Sequence, residues 1–192
     1  MKILAVIAMA VALETDARAD EVTVYVQGLT VVPAQMLAPA EVLANEIFAG
    51  VGVKIDWRIG RPSRSQRSRQ TPIVIEMTTG TPQERLPGAL AVALPYEGVH
   101  INVFYDRVQE ATEPQLTPDV LAHVLVHEIT HILQETCRHS GTGVMKARRN
   151  HKDYMEMKIK PLSFTEEDVQ LIRIGLARRA NASALIAAAP NR

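Results

Sequence analysis

The chain has 192 residues, its 21 Lys and Arg are matched by 21 Asp and Glu, and it contains a single cysteine, Cys137. That length suits one domain with a real core. The even charge balance argues against a nucleic-acid or membrane-surface partner, and one cysteine allows no internal disulfide.

Lys2, the apolar run Ile3 to Leu13 and Ala17-Arg18-Ala19 together have the form of a secretory signal over residues 1–19. The apolar run is too short to span a bilayer, and nothing later in the chain is long and apolar enough to cross one. The expectation is cleavage near Ala19/Asp20 and a secreted or periplasmic mature chain with no membrane span.

Val22 to Val26 is rich in β-branched and aromatic residues and predicts a first strand. Pro39 to Ala49 carries apolar residues at helical spacing, with Pro39 near the first turn and Gly50 and Gly52 ending the helix. Val53 to Ile59 alternates apolar and polar residues as a half-buried strand does. Gly60 to Gln70 is arginine- and serine-rich with no aromatic residues interleaved, so it reads as a solvated loop. Ile73 to Met77, Ala89 to Leu94 and Val99 to Tyr105 predict three further strands. Pro87 and Pro95 bracket the middle one of these three, as at a sheet edge.

A long helix is predicted from Thr117, expected as its cap, with Pro118 in the first position, to about Glu135. Thr165 opens a last helix with Thr165-Glu166-Glu167-Asp168, running to about Arg179. Residues 182–192 form an alanine-rich tail expected to fray. The order β-α-β-β-β-β then helices indicates an α+β fold: a mixed, twisted five-stranded sheet, a long helix and a small helical C-terminal subdomain.

The long helix carries the chemistry. His127 and His131 are four residues apart, so both imidazoles project from one face and can share an ion. Glu128, one step along, is placed to act as a base beside the metal. This H-E-x-x-H pattern points to Zn2+ with Glu128 as general base. A register using His123 and His127 would put Val124 where the base belongs. A catalytic zinc site keeps three protein ligands, and four residues could supply the third: Glu135, Cys137, His139 or Glu156.

Gly143-Val144-Met145-Lys146 after this helix is similar to the Met-turn that follows the zinc helix in metzincins. Gly88 to Pro95 with His100 to Asp106 resembles the substrate-edge strand and following strand of matrixin-type enzymes. Phe164 to Ile172 resembles the start of their last helix. The resemblance covers about Val53 to Leu176, and residues 20–181 would form the metallopeptidase domain. The family's glycine falls at Gln134 and its third histidine at Cys137. Without the glycine the helix is expected to run further, so that a ligand arrives two residues late and His139 is favoured over Cys137.

The resemblance implies an exported zinc endopeptidase with His127, His131 and His139 as ligands. Glu128 would take a proton from water and return it to the leaving amine. An extended peptide or protein substrate would lie along Ala89, Leu90, Ala91, Val92, Ala93 and Leu94, with Met145 beneath the metal. A monomer is expected. Two alternatives stay open: a catalytically silent zincin-fold protein that binds zinc and a partner, and a gluzincin-like peptidase using Glu156. Tyr154 is read as an ordinary surface or core tyrosine and Cys137 as a small apolar core residue.

Overall fold

The computed structural model describes residues 20–63, 71–80, 84 and 86–188. The expected signal over 1–19 and most of the arginine-rich loop lie outside the described residues. The sheet holds β1 (Asp20–Gln27), β2 (Val53–Ile59), β3 (Ile73–Thr78), β4 (Ala91–Ala93) and β5 (His100–Phe104) in the order β2-β1-β3-β5-β4. The first four in that order run parallel, and β4 lies antiparallel to β5. A mixed sheet in an α+β fold is what the element order predicts.

The strand sequences follow from position. β1 and β3 are internal and parallel, and Val24, Tyr25, Val26, Ile73, Val74 and Ile75 are all buried without alternation. Such continuous apolar runs suit strands covered on both faces. β4 is an edge, as its flanking prolines suggest, but it is shorter than predicted. Pro95 and the turn around Gly98 end its pairing, and the last bond to β5 runs from Leu94 N–H to the His100 carbonyl (2.9 Å).

α1 (Ala34–Ala49) begins a full turn earlier than predicted, with Pro39 inside it. Pro39 and Gln35 are both exposed, so the carbonyl that loses its helical donor faces water. Leu37, Ala40, Ala44, Ile47 and Phe48 form its buried face. α2 (Tyr105–Glu110) takes over directly from β5, where a longer strand is predicted. Its sequence carries no capping signal, which is why periodicity alone misses it.

α3 (Thr117–Gln134) runs through the middle of the domain, with 16 of its residues buried. It packs on α1, β4, β5 and the later helices. Thr117 is not its cap. A short 3-10 turn at Pro114–Leu116 feeds straight into the helix, and the Thr117 N–H bonds Pro114. Thr117 Oγ1 donates to the Glu113 carbonyl instead of accepting.

α4 (His151–Ile159) is a second helix absent from the sequence prediction. It opens on a capping box, the Asn150 side chain accepting from the Asp153 N–H and the Asp153 carboxylate from the Asn150 N–H. α5 (Glu166–Ala188) starts at the predicted Thr165 box but continues well past Arg179, through part of the expected tail. Gly175 lets α5 touch α3: a Cβ there would stand 1.6 Å from the Leu133 carbonyl oxygen.

Candidate metal centre

His127 and His131 project from the same face of α3, and both are almost fully buried. His127 Nδ1 donates to the Val144 carbonyl at 2.9 Å, and His131 Nδ1 donates to the Thr136 carbonyl at 2.8 Å. A carbonyl only accepts, so each ring keeps its proton on Nδ1 and bares Nε2. The two Nε2 atoms then face each other 3.1 Å apart. Facing lone pairs at that distance repel unless a cation lies between them.

His139 completes the group. Its ring centroid is 5.2 Å from that of His127 and 4.9 Å from that of His131. The ligand atoms of the three imidazoles lie within 4.8 Å of one another. Burial holds His127 down to about 3 and His131 to about 4, with Arg149 adding to the effect at His127. Burial, and then Arg149, also lowers His139. Three neutral imidazoles converging, with no fourth protein donor among the described residues, fit a zinc ion with an open position.

The third imidazole arrives by a route different from the predicted one. The helix does not run on beyond Gln134. Glu135 turns the chain in the left-handed conformation at φ 54°. Its N–H reaches the Ile132 carbonyl (3.4 Å), and the Thr136 N–H reaches the His131 carbonyl (3.3 Å). This is the Schellman pattern, with glutamate where glycine is usual. The conformation costs about 1–2 kcal/mol in a residue with a Cβ. An ion pair of Glu135 with Arg178 at 3.0 Å helps to hold it. The delay in the third histidine therefore lies in the irregular stretch 136–139, not in a longer helix.

Among the described residues, Cys137 and Glu156 stand outside the histidine group. Cys137 is exposed on the cleft wall, which corrects its reading as a core residue. Glu156 is exposed on α4. The segment bearing His139 is pinned from both sides. Ser140 Oγ and Arg138 Nη1 both donate to Asp168 Oδ1, at 2.7 and 3.2 Å. Asp168 is fully buried and also accepts from the Thr165 N–H and hydroxyl at the start of α5.

The turn at 143–146 closes the floor. Gly143 has φ 73°, and a Cβ there would meet the Ser163 carbonyl oxygen at 2.3 Å, so only glycine fits. Met145 is fully buried, and its carbonyl accepts from the Ser140 N–H at 2.9 Å. Val144 bonds Ser163 through its N–H (3.0 Å). The Val144 carbonyl serves His127 and Arg149 together.

Glu128 points at the edge strand and is buried. Burial pushes its carboxyl up to about 7, while the Ala93 N–H and the Arg149 charge pull it down. A divalent cation beside it would lower it further. A cleft of about 820 Å³ joins Glu128, the three histidines and the strand, with Ala89 to Ala93 along one wall and Tyr154 on another. Leu90 and Leu94 bond inward to β5, so by antiparallel alternation the backbone of Ala91 and Ala93 faces the cleft. Leu94, expected in the strand's binding edge, is not on the cleft wall.

Sequence reasoning missed Arg149 and Asp168 as parts of the site. Nothing local marks Arg149, one of several arginines in a polar stretch. Asp168 is visible as a helix cap but not as an anchor for a loop nearly thirty residues upstream.

No family model matches the chain, and no curated protein matches it. Among solved structures, the crystal structure of archaemetzincin from Methanopyrus kandleri matches with a TM-score of 0.57 at 16% identity. The match covers 84% of this chain and 98% of that one. The fold is zincin-like. At this identity the likeness carries the architecture, and the chemistry has to be argued from the residues above.

Proposed function

We propose that the protein is a zinc-dependent endopeptidase acting on extended peptide segments. The observation that carries this is the convergence of three neutral imidazoles beside Glu128, against a strand edge whose outward backbone faces the cleft. Bound zinc would supply Lewis acidity, acidifying water and polarising a carbonyl. His127, His131 and His139 would hold it, their orientation fixed by the Val144 and Thr136 carbonyls and by the Asp168 anchor.

Glu128 lies within reach of the Ala93 N–H and of the metal side of the cleft. Its near-neutral carboxyl suits accepting a proton from water and handing it to a departing amine. A substrate strand alongside Ala91 and Ala93 would be aligned by backbone hydrogen bonds, without reading every side chain. We further propose that the chain works outside the cytoplasm, since residues 1–19 have the pattern of an export signal.

The test is digestion of a proteome-derived peptide library by the mature protein, with and without a chelator. Cleavage that stops on chelation and returns with zinc is expected. No cleavage under zinc-replete conditions, or cleavage indifferent to chelator, would rule the reading out.

A further inference from the structure

Arg149 is unusual among the charged groups of the cleft. Its Nη2 donates to two backbone carbonyls, His123 at 3.3 Å and Val144 at 2.9 Å. Its Nε is buried with no hydrogen-bond partner. No carboxylate among the described residues lies within ion-pair distance of it. Of the two acids whose charge acts on it, Glu128 and Asp153, the second is already bonded twice by Lys146, at 2.7 and 2.9 Å.

A guanidinium taken partly out of water without a counter-ion is costly. Bonding to two carbonyls fixes its orientation, while Tyr154, Glu128 and Asp153 act on its charge only through space, without a direct bond. It is fixed, moreover, through the same Val144 carbonyl that orients His127, so its distance from the histidine group is set by one peptide unit. With Arg149 counted, the cleft walls carry one more positive than negative side chain. They hold Arg107, Arg148 and Arg149 against Glu110 and Glu128, and Glu128 is already assigned to proton transfer.

We propose that Arg149 recognises a carboxylate on the substrate, so that the protein prefers peptides with an acidic side chain or a free C-terminus close to the scissile bond. This rests on the peptidase reading above and adds the substrate class to it. With Nη2 spent on the two carbonyls and Nε buried, Nη1 is the nitrogen left to bond a ligand carboxylate, which would supply a direct counter-charge where water is scarce. The neutral amide of the same shape would leave the charge unpaired.

The experiment uses zinc-loaded protein and matched peptides differing only as Glu against Gln at positions flanking the cleaved bond, or as free against amidated C-terminus. Cleavage is read as kcat/KM. Binding of the same peptides to the zinc-loaded Glu128→Gln protein is read by calorimetry. A preference of about tenfold or more for one carboxylate form is expected, in rate and in binding. Which pair shows it identifies the side chain or the terminus as the source. In Arg149→Met the ratio should fall toward one. In Arg149→Lys, which keeps a charge but loses the fixed placement of Nη1, it should be intermediate.

Equal values for every wild-type pair would overturn the carboxylate assignment while leaving the peptidase reading intact. An unchanged ratio in a folded, zinc-binding Arg149→Met would do the same. Discrimination in binding with no turnover of any peptide would instead overturn the peptidase reading and keep the carboxylate site.

Discussion

Ser140 Oγ donates to Asp168 Oδ1 across 2.7 Å, joining the residue after His139 to the first turn of α5. That carboxylate, buried and shared among Thr165, Arg138 and Ser140, is what places the third imidazole, because His139 itself sits in an irregular segment. Asp168→Asn keeps the shape but removes the buried charge that Arg138 and Ser140 share, leaving Arg138 only its exposed partner Glu167. Zinc affinity should fall by about 10- to 100-fold, as for other supporting partners of metal ligands. Competitive titration with a chromophoric chelator measures it. Affinity within twofold of wild type would show that His139 is positioned without this anchor.

The choice of third ligand is open to direct comparison. His139→Ala should lose stoichiometric zinc at low micromolar metal, whereas Cys137→Ser should retain one zinc per chain. Metal analysis after gel filtration reads both. The opposite pattern would move the ligand to the exposed thiol.

The contact between α5 and α3 depends on one missing methyl. Gly175→Ala places a Cβ far inside the Leu133 carbonyl, so the helices must separate. Overpacking of this kind costs about 1–3 kcal/mol. Because Leu133 lies in the last turn of α3, next to His131 and the Glu135 turn, zinc affinity should weaken along with thermal stability. A denaturation curve superimposable on wild type would contradict the packing described.

His123 gives a pH dependence of its own. It is fully buried, its Nδ1 donating to the Asp119 carbonyl at 2.6 Å and its Nε2 accepting from the Leu162 N–H at 3.0 Å. Burial, aided by Arg149, lowers its pKa from 6.5 to about 4. The folded chain therefore keeps it neutral where the unfolded chain takes up a proton. Its contribution is fully present above pH 6.5 and is lost as pH falls toward 4, by at most about 3 kcal/mol. Urea unfolding between pH 4 and 7.5 should show a shallower slope for His123→Gln than for wild type. Parallel slopes would refute the assignment.

Much of the fold was legible because its signals are local. Val22 to Val26, Val53 to Ile59 and Ile73 to Met77 announce strands, and His127, Glu128 and His131 announce their shared helical face. The two missed helices had weaker marks. α2 has no cap, and the Asn150 box of α4 precedes a polar sequence without an apolar stripe. Around the histidine group the sequence pointed to His139, but through an extended helix that does not form. What brings His139 in is a glutamate in a glycine conformation and an aspartate on another helix. Neither is readable from spacing, because both depend on contacts between distant segments.

The central claim is that the three histidines hold zinc and Glu128 moves the proton. The most direct measurement compares wild type with Glu128→Ala for zinc content and peptide turnover in the same preparations. One zinc per chain in both proteins, with turnover reduced by at least about 100-fold in the variant, is the predicted result. Comparable turnover by Glu128→Ala at equal zinc occupancy would contradict it.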